Sequence, residues 1–177
     1  MKLIYCSECA APLDKESDSR YQCPSGHVRW NNPVMCVALV LIQDGAILVS
    51  KRACEPSKGM YDLPGGFCDF NESWQSASQR ELAEETEMSC NTNVLQIIDC
   101  YTDMYDEQES VCDLVVYVPE WSGVPVPHDD SAELVWKPLA FLEDPQFSPN
   151  YTNLRQRIQA DILRGSAKGT AHGYLTL

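Results

Sequence analysis

The sequence predicts an α/β/α sandwich on a mixed sheet, carried behind a short front segment that needs a metal ion to fold. Three observations lead there. Short apolar runs bounded by turn residues recur between positions 36 and 137 and read as strands. Two stretches free of Gly and Pro, residues 73–87 and 153–163, read as helices flanking those strands. Ahead of them all, Cys6, Cys9, Cys23 and His27 crowd four soft donors into the first 27 residues.

The front segment comes first. Cys6-Ser-Glu-Cys9 and Cys23-Pro-Ser-Gly-His27 are a C-x2-C pair and a C-x3-H pair separated by thirteen residues. That is the spacing of a closed, tetrahedral Zn²⁺ site. A stretch of about 30 residues cannot bury enough core to fold alone, so bound metal would supply the missing stability. Gly26 stands where a second C-x2-C pair would put its last cysteine, which leaves His27 as the fourth ligand. Such a site is saturated by protein and therefore structural. The competing reading is free cysteines beside a surface histidine. Residues 1–32 form this zinc ribbon, and Asn31-Asn32-Pro33 links it to a main domain at 33–164.

Within the main domain, apolar runs at 36–42 and 46–50 surround Asp44-Gly45, a strong hairpin signal. Ser57-Lys58-Gly59 makes a loop, and Leu63-Pro64-Gly65-Gly66 leads into the first helix. Strands follow near 94–101 and 111–118, then a Pro-rich loop at 122–130 and a short strand at 133–137. Leu154, Ile158 and Ile162 recur at helical spacing in the closing helix, and 165–177 reads as a flexible tail. No internal repeat is present. The six other cysteines (36, 54, 68, 90, 100 and 112) show no paired spacing; Cys36, Cys100 and Cys112 read as small hydrophobes on strands.

The first helix carries the chemistry. At about 100° per residue, Glu81, Glu84 and Glu85 fall on the arc that also holds Trp74 and Ala77, so the carboxylates share the core-facing side. They crowd the C-terminal turns, where the helix dipole disfavours anions. Each like-charge pair costs about 0.2–0.5 kcal/mol. Arg80, four residues before Glu84, offers local relief. A solvated acidic face is the bland alternative, but such faces alternate in sign and point away from aromatic neighbours. Hard oxygen donors gathered on one face suit Mg²⁺ or Mn²⁺.

The same residues form one frame: Gly66, Glu72, Arg80, Glu81, Leu82, Glu84, Glu85 and Met88 fit G-x5-E-x7-R-E-U-x-E-E-x-G-U, where U is aliphatic. This resembles the signature of the Nudix hydrolase family, and the likeness extends from about residue 33 to 164. Only Glu87 departs, standing where the family has glycine; a glutamate there is left-handed at a cost of about 1–2 kcal/mol, unless the helix ends one residue later or bends. The resemblance implies hydrolysis of a nucleoside diphosphate linked to another group, with divalent ions acidifying water and neutralising phosphate charge. It implies Glu84 and Glu85 as Mg²⁺ or Mn²⁺ ligands, Glu81 as a third ligand or the general base, and the Gly66 carbonyl as a further ligand. Arg80 would orient Glu81, and Glu72 would fix the loop–helix geometry or serve the helix dipole. The ribbon resembles those preceding some members, including NADH and FAD pyrophosphatase relatives.

Outside the signature, Asp129, Asp130 and Glu133 lie in a loop before Trp136, where the family often places another acid. Asp130 is the candidate metal ligand there and Glu133 the candidate for activating water; solvated loop acids are the alternative. Arg52 could hold substrate phosphate or be a surface cation. Tyr61, Phe67, Tyr101 and Tyr105 are candidates to stack on a base or to fill the core.

Composition excludes other classes. A net charge of −13 repels nucleic-acid backbones, so a small-molecule nucleotide is the expected partner. No apolar stretch approaches the roughly 18 residues of a membrane span. The opening Met-Lys-Leu-Ile-Tyr reaches a cysteine before a signal-peptide core develops, which makes the cytoplasm the expected compartment. Many family members are homodimers, and the residues leave that state open. Two further readings stand beside the hydrolase: a catalytically silent ligand sensor, and a zinc-ribbon nucleic-acid adaptor. Among substrates of the ADP-ribose, FAD and NADH type, the missing Pro- and Trp-containing tag of NADH pyrophosphatases favours ADP-ribose or FAD.

Overall fold

The computed structural model describes residues 5–105, 109–148, 151 and 153–160. The tail expected at 165–177 and the last turns of the closing helix lie outside the described residues.

The front segment forms three short antiparallel strands, β1 (Asp14–Lys15), β2 (Arg20–Gln22) and β3 (Val28–Trp30). Among residues 5–33 the only buried side chains are Cys6 and Cys23. The described residues of this unit therefore form no apolar core beyond the two sulfurs.

Next comes β4 (Val34–Val40), a nearly unbroken apolar run of the kind that is covered on both faces. Its alternate residues serve two cores. Val37, Leu39 and Leu41 pack with Ala77, Leu82 and Met88 on one side. Ala38, Val40 and Ile42 pack with Leu154 and Ile158 on the other. Burying any one of these side chains contributes about 1.5–3 kcal/mol, which makes β4 the spine of the domain. The predicted hairpin follows: β5 (Ile42–Gln43) turns through Asp44 (φ +50°) and Gly45 (φ +76°) into β6 (Ala46–Arg52), as a two-residue type I′ turn requires.

After β7 (Tyr61–Asp62) and β8 (Gly65–Phe67) the helix α1 runs Trp74–Thr86. Ser73 caps its start by accepting from the Ser76 amide at 3.2 Å. Glu87 ends it in a left-handed conformation (φ +58°), with its amide donating to the Ala83 carbonyl at 3.0 Å. Neither alternative ending occurs. Beyond it lie β9 (Ser89–Cys90), a 3-10 turn at Thr92–Val94, β10 (Gln96–Met104), β11 (Ser110–Tyr117), β12 (Trp121–Ser122) and β13 (Ser131–Pro138). The 3-10 turn, capped by Asn91, delays β10 past its expected start. The closing helix α2 spans Leu154–Ile158.

One sheet is mixed, ordered β10-β11-β4-β8, with β11 and β4 parallel and the other pairs antiparallel. The second has the order β13-β6-β5, with β7 on β6. With α1 over one core and α2 over the other, the α/β/α sandwich is the architecture found. The cysteines are sorted less simply than expected. Cys36 is buried, but Cys100 is exposed and its sulfur lies 3.3 Å from that of Cys112.

Candidate active site

A cavity of about 420 Å³ opens between α1, the β8 loop and the ends of β4, β6 and β11. Arg80 organises its acidic wall. The guanidinium grips Glu72 with two parallel bonds (Nε to Oε1 3.0 Å, Nη2 to Oε2 2.8 Å) and also donates to the Phe67 carbonyl at 2.8 Å. Its Nη1 donates to Glu81 at 2.7 Å and to Glu84 at 3.0 Å. This bidentate fork holds the loop to the helix and aims Glu81 at the cavity.

Glu81 is buried and lies against Gly66, where any Cβ would sit 2.7 Å from its carboxylate. The absence of a side chain at 66 is thus a condition for Glu81 to occupy its place. Gly65, at φ +147°, is equally constrained: a Cβ there would overlap the Val37 carbonyl. Glu85 reaches the same cavity and accepts from the Gly65 amide at 3.1 Å. Burial raises the pKa of Glu81, against the opposing pull of Arg80. Burial also pushes Glu85 up to about 8, helped by Glu81, Asp62 and Asp130.

Arg80 therefore brings one positive charge to three carboxylates, and Glu85 has only a backbone amide. This donor set, hard and short of positive charge, fits a divalent cation with oxygen preference.

Arg52 also lines the cavity. Its Nε donates to the Pro56 carbonyl at 2.7 Å, and Nη1 stands 3.7 Å from Asp62. Phe67 and Tyr105 meet edge to face at 5.2 Å beside it, at the mouth of the cavity. Tyr61 and Tyr101 belong to the core that packs on α2. Asp130 lines the cavity and accepts from the Cys54 thiol at 3.1 Å. Glu133 is not among the lining residues; it is exposed on β13 and accepts from the Tyr61 hydroxyl at 3.0 Å. So Gly66, Arg80, Glu81, Glu84, Glu85, Asp130 and Arg52 share one cavity, and Glu133 stands apart.

Sequence reasoning passed over two further acids that line the cavity, one buried and one largely so. Asp113 lies mid-strand on β11, and Asp62, on β7, takes a hydrogen bond from the Tyr151 hydroxyl. Burial lifts Asp62 to about 6 and raises Asp113 as well. A lone acid inside the apolar run 111–118 was the available signal.

At the front, the donor atoms of Cys6, Cys9, Cys23 and His27 all lie within 4.8 Å of one another. His27 turns Nδ1 to the sulfurs of Cys6 and Cys23, each at 3.5 Å. Its Nε2 faces Glu8 at 3.5 Å, and Arg29 pins Glu8 at 2.7 Å. Burial opposes ionisation of Cys6, but backbone donors at Glu8 and Cys9 outweigh it and bring the thiol down to about 6. Three thiols, one imidazole and a carboxylate behind the imidazole are a donor set that could hold Zn²⁺.

Comparison with known proteins agrees with this geometry. The chain is 35% identical over 82 residues to the human mitochondrial NAD(P)H pyrophosphatase NUDT13, a match covering 46% of this chain and 23% of that protein. It is 40% identical over 55 residues to the ADP-ribose pyrophosphatase of Methanocaldococcus jannaschii, covering 31% of this chain and 32% of that one. The matched stretches thus span 23% and 32% of the length of these curated relatives. The MutT NUDIX hydrolase of Burkholderia pseudomallei superimposes with a TM-score of 0.60 at 24% identity, over 72% of this chain and 97% of that one, which speaks to the fold. The NUDIX domain model matches residues 32–157, a span that takes in both sheets, α1 and the whole acidic wall: the chain belongs to the NUDIX domain family.

Proposed function

We propose that this protein is a divalent-cation-dependent pyrophosphohydrolase. It cleaves the pyrophosphate bond of a nucleoside diphosphate joined to another group, of the ADP-ribose, FAD or NADH type, and releases a nucleoside monophosphate. The observation that carries this reading is the convergence of Glu81, Glu84 and Glu85 on one cavity, with Gly66 left bare for Glu81 and Arg52 lining the same cavity. The names of the two curated relatives support the substrate class.

Glu81, Glu84 and Glu85, with the Gly66 carbonyl and Asp130, would hold Mg²⁺ or Mn²⁺. The ion supplies acidified water and neutralisation of phosphate charge. Arg80 keeps Glu81 oriented and opposes its protonation. A substrate diphosphate lies between the acidic wall and Arg52, whose guanidinium is already fixed by the Pro56 carbonyl and can pair with a phosphate oxygen. Glu81 is also placed to take the proton of the attacking water, being the buried carboxylate nearest the loop glycine. Phe67 and Tyr105 offer a surface on which a base can rest. Glu133 stands outside the cavity lining and accepts from the Tyr61 hydroxyl, so it takes no part in this reading.

The ribbon, residues 1–32, would carry structural Zn²⁺ on Cys6, Cys9, Cys23 and His27, followed by the hydrolase domain at 33–164. Its free cysteines suit a reducing compartment such as the cytoplasm. No described helix is long and apolar enough to cross a membrane.

The test is turnover of ADP-ribose, FAD, NADH and a nucleoside triphosphate with Mg²⁺ or Mn²⁺, for wild type, Glu84→Gln and Glu85→Gln. Monophosphate release that needs the cation and falls at least 100-fold in the variants is expected. Folded wild type that binds ADP-ribose without turning it over would favour the silent sensor instead.

A further inference from the structure

Cys100 and Cys112 stand outside the cavity and outside the ribbon, twelve positions apart in the chain, yet their sulfurs are 3.3 Å apart. The ladder explains why. Cys100 is registered against Leu114 on β11, and Cys112 against Thr102 on β10. The two thiols are therefore diagonal neighbours on one face of the same antiparallel pair. The right-handed twist between adjacent strands brings one of the two diagonals closer than the other, and the 3.3 Å sulfur separation puts these residues on the close one. Closing the gap to a sulfur–sulfur bond of about 2.05 Å needs an approach of roughly 1.3 Å, which two side-chain torsions can supply. The side chain of Cys100 is exposed, so an oxidant can reach it; Cys112 is half-buried beside it. Cys100 and Cys112 are the pair of cysteines outside the ribbon that are joined sulfur to sulfur by a hydrogen bond among the described residues.

We propose that Cys100 and Cys112 form a reversible dithiol/disulfide couple, a site of oxidative modification for peroxides or small-molecule disulfides. With a peroxide, the Cys100 thiolate attacks one oxygen and becomes a sulfenic acid, and the other oxygen leaves as hydroxide and takes a proton. The Cys112 sulfur then attacks the sulfenic sulfur; the sulfur–sulfur bond forms, the sulfur–oxygen bond breaks, and water leaves. Two thiols lose two electrons and two protons, and one peroxide becomes two waters. With a disulfide oxidant, two exchanges do the same and release two small thiols. The hydrogen bond with Cys112, partial desolvation and the charges of Asp99 and Asp113 hold the Cys100 thiol up at about 11, so the thiolate fraction, and oxidation with it, rises with pH.

The bond would staple the hairpin that carries Asp113, Met104 and Tyr105 to the cavity. No Lys or Arg occurs between residues 81 and 136, whereas Asp103, Asp106, Glu107 and Glu109 lie between the two cysteines. A Glu/Asp-specific protease therefore separates the strands, and only a disulfide keeps the fragments joined.

The experiment uses the full chain with zinc present to protect the ribbon. Reduced protein is treated with limiting hydrogen peroxide or oxidised glutathione, alkylated under denaturing conditions, digested and read by mass spectrometry. A Cys100–Cys112 linked fragment is expected. It should disappear on thiol treatment, be absent in Cys100→Ser and Cys112→Ser, and persist in Cys54→Ser. Oxidised wild type in which both residues are fully alkylated, or in which Cys112 is joined instead to Cys90, overturns the proposal. Loss of either thiol without the linked fragment also overturns it.

Discussion

The ribbon and the cavity each gather groups that would repel once charged, and they hold them by opposite means. In the ribbon, three thiols and an imidazole close on one another while the nearby Arg29 guanidinium is held by Ser7 and Glu8 rather than by the sulfurs, and two of those thiols are the only buried side chains among its described residues. In the cavity, Arg80 already threads three carboxylates together, and two large apolar cores lie behind α1 and β4. Thiols and imidazole are neutral when protonated, so they assemble cheaply but stabilise little without an ion. Carboxylates must be compensated by the protein itself if the fold is to stand before any ion arrives. The first arrangement suits metal that builds structure, and the second suits metal that comes and goes with substrate.

That contrast can be broken most severely at the front. Cys23→Ser should reduce bound zinc from about one per chain to near zero and unfold residues 1–32, because a metal-held unit of this size has no second source of stability. Metal analysis and hydrogen exchange would show it, and the acidic wall should stay protected. Retained protection of the ribbon in zinc-free protein would erase the distinction.

Next in size is Arg80→Ala. It leaves buried Glu81 without its partner, frees the half-buried Glu72, and should cost about 2–4 kcal/mol in denaturant unfolding, the larger part through Glu81. Stability should therefore depend on Arg80 more than on Mg²⁺, whose removal should leave the unfolding midpoint nearly unchanged.

A smaller effect concerns Asp62. Its folded-state pKa is raised, from 3.8 to about 6, by burial. The stability it contributes is complete below pH 3.8 and is lost as pH rises through 6. At 1.36 kcal/mol per unit the loss is on the order of 2–3 kcal/mol, and Asp62→Asn should flatten the unfolding profile across that window. An unchanged slope would mean that Asp62 is hydrated.

The smallest effect is Glu87→Gly. Removing the left-handed strain should stabilise by about 1 kcal/mol, a rise of roughly 2–4 °C in Tm, with turnover unaltered. The contact between Glu87 and His128 that is given up is more than half exposed and is worth little.

Much of this molecule was legible beforehand, for local reasons. Ser73, the helix formers after it and the Asp44-Gly45 turn act within a few residues, and all took their expected forms. The ribbon's four donors were found from spacing because two tight pairs need only one loop to meet. What escaped depends on pairing between distant segments. Asp62 and Asp113 share the cavity because β11 lies parallel to β4 and β7 lies on β6, and neither alignment can be read from a single stretch. Cys100 and Cys112 meet for the same reason, through a register. Glu133 drew attention as an acid before Trp136, but residence on an outer strand leaves it exposed.

Gly65 and Gly66 set how this scaffold can diversify. One presses its backbone onto the central strand, and the other yields its side-chain volume to Glu81. In a saturation library these two codons should accept almost nothing, while codon 87, a few turns away, already tolerates a residue its geometry dislikes. Specificity can drift along the rim of the cavity, but its floor is fixed by what two positions lack.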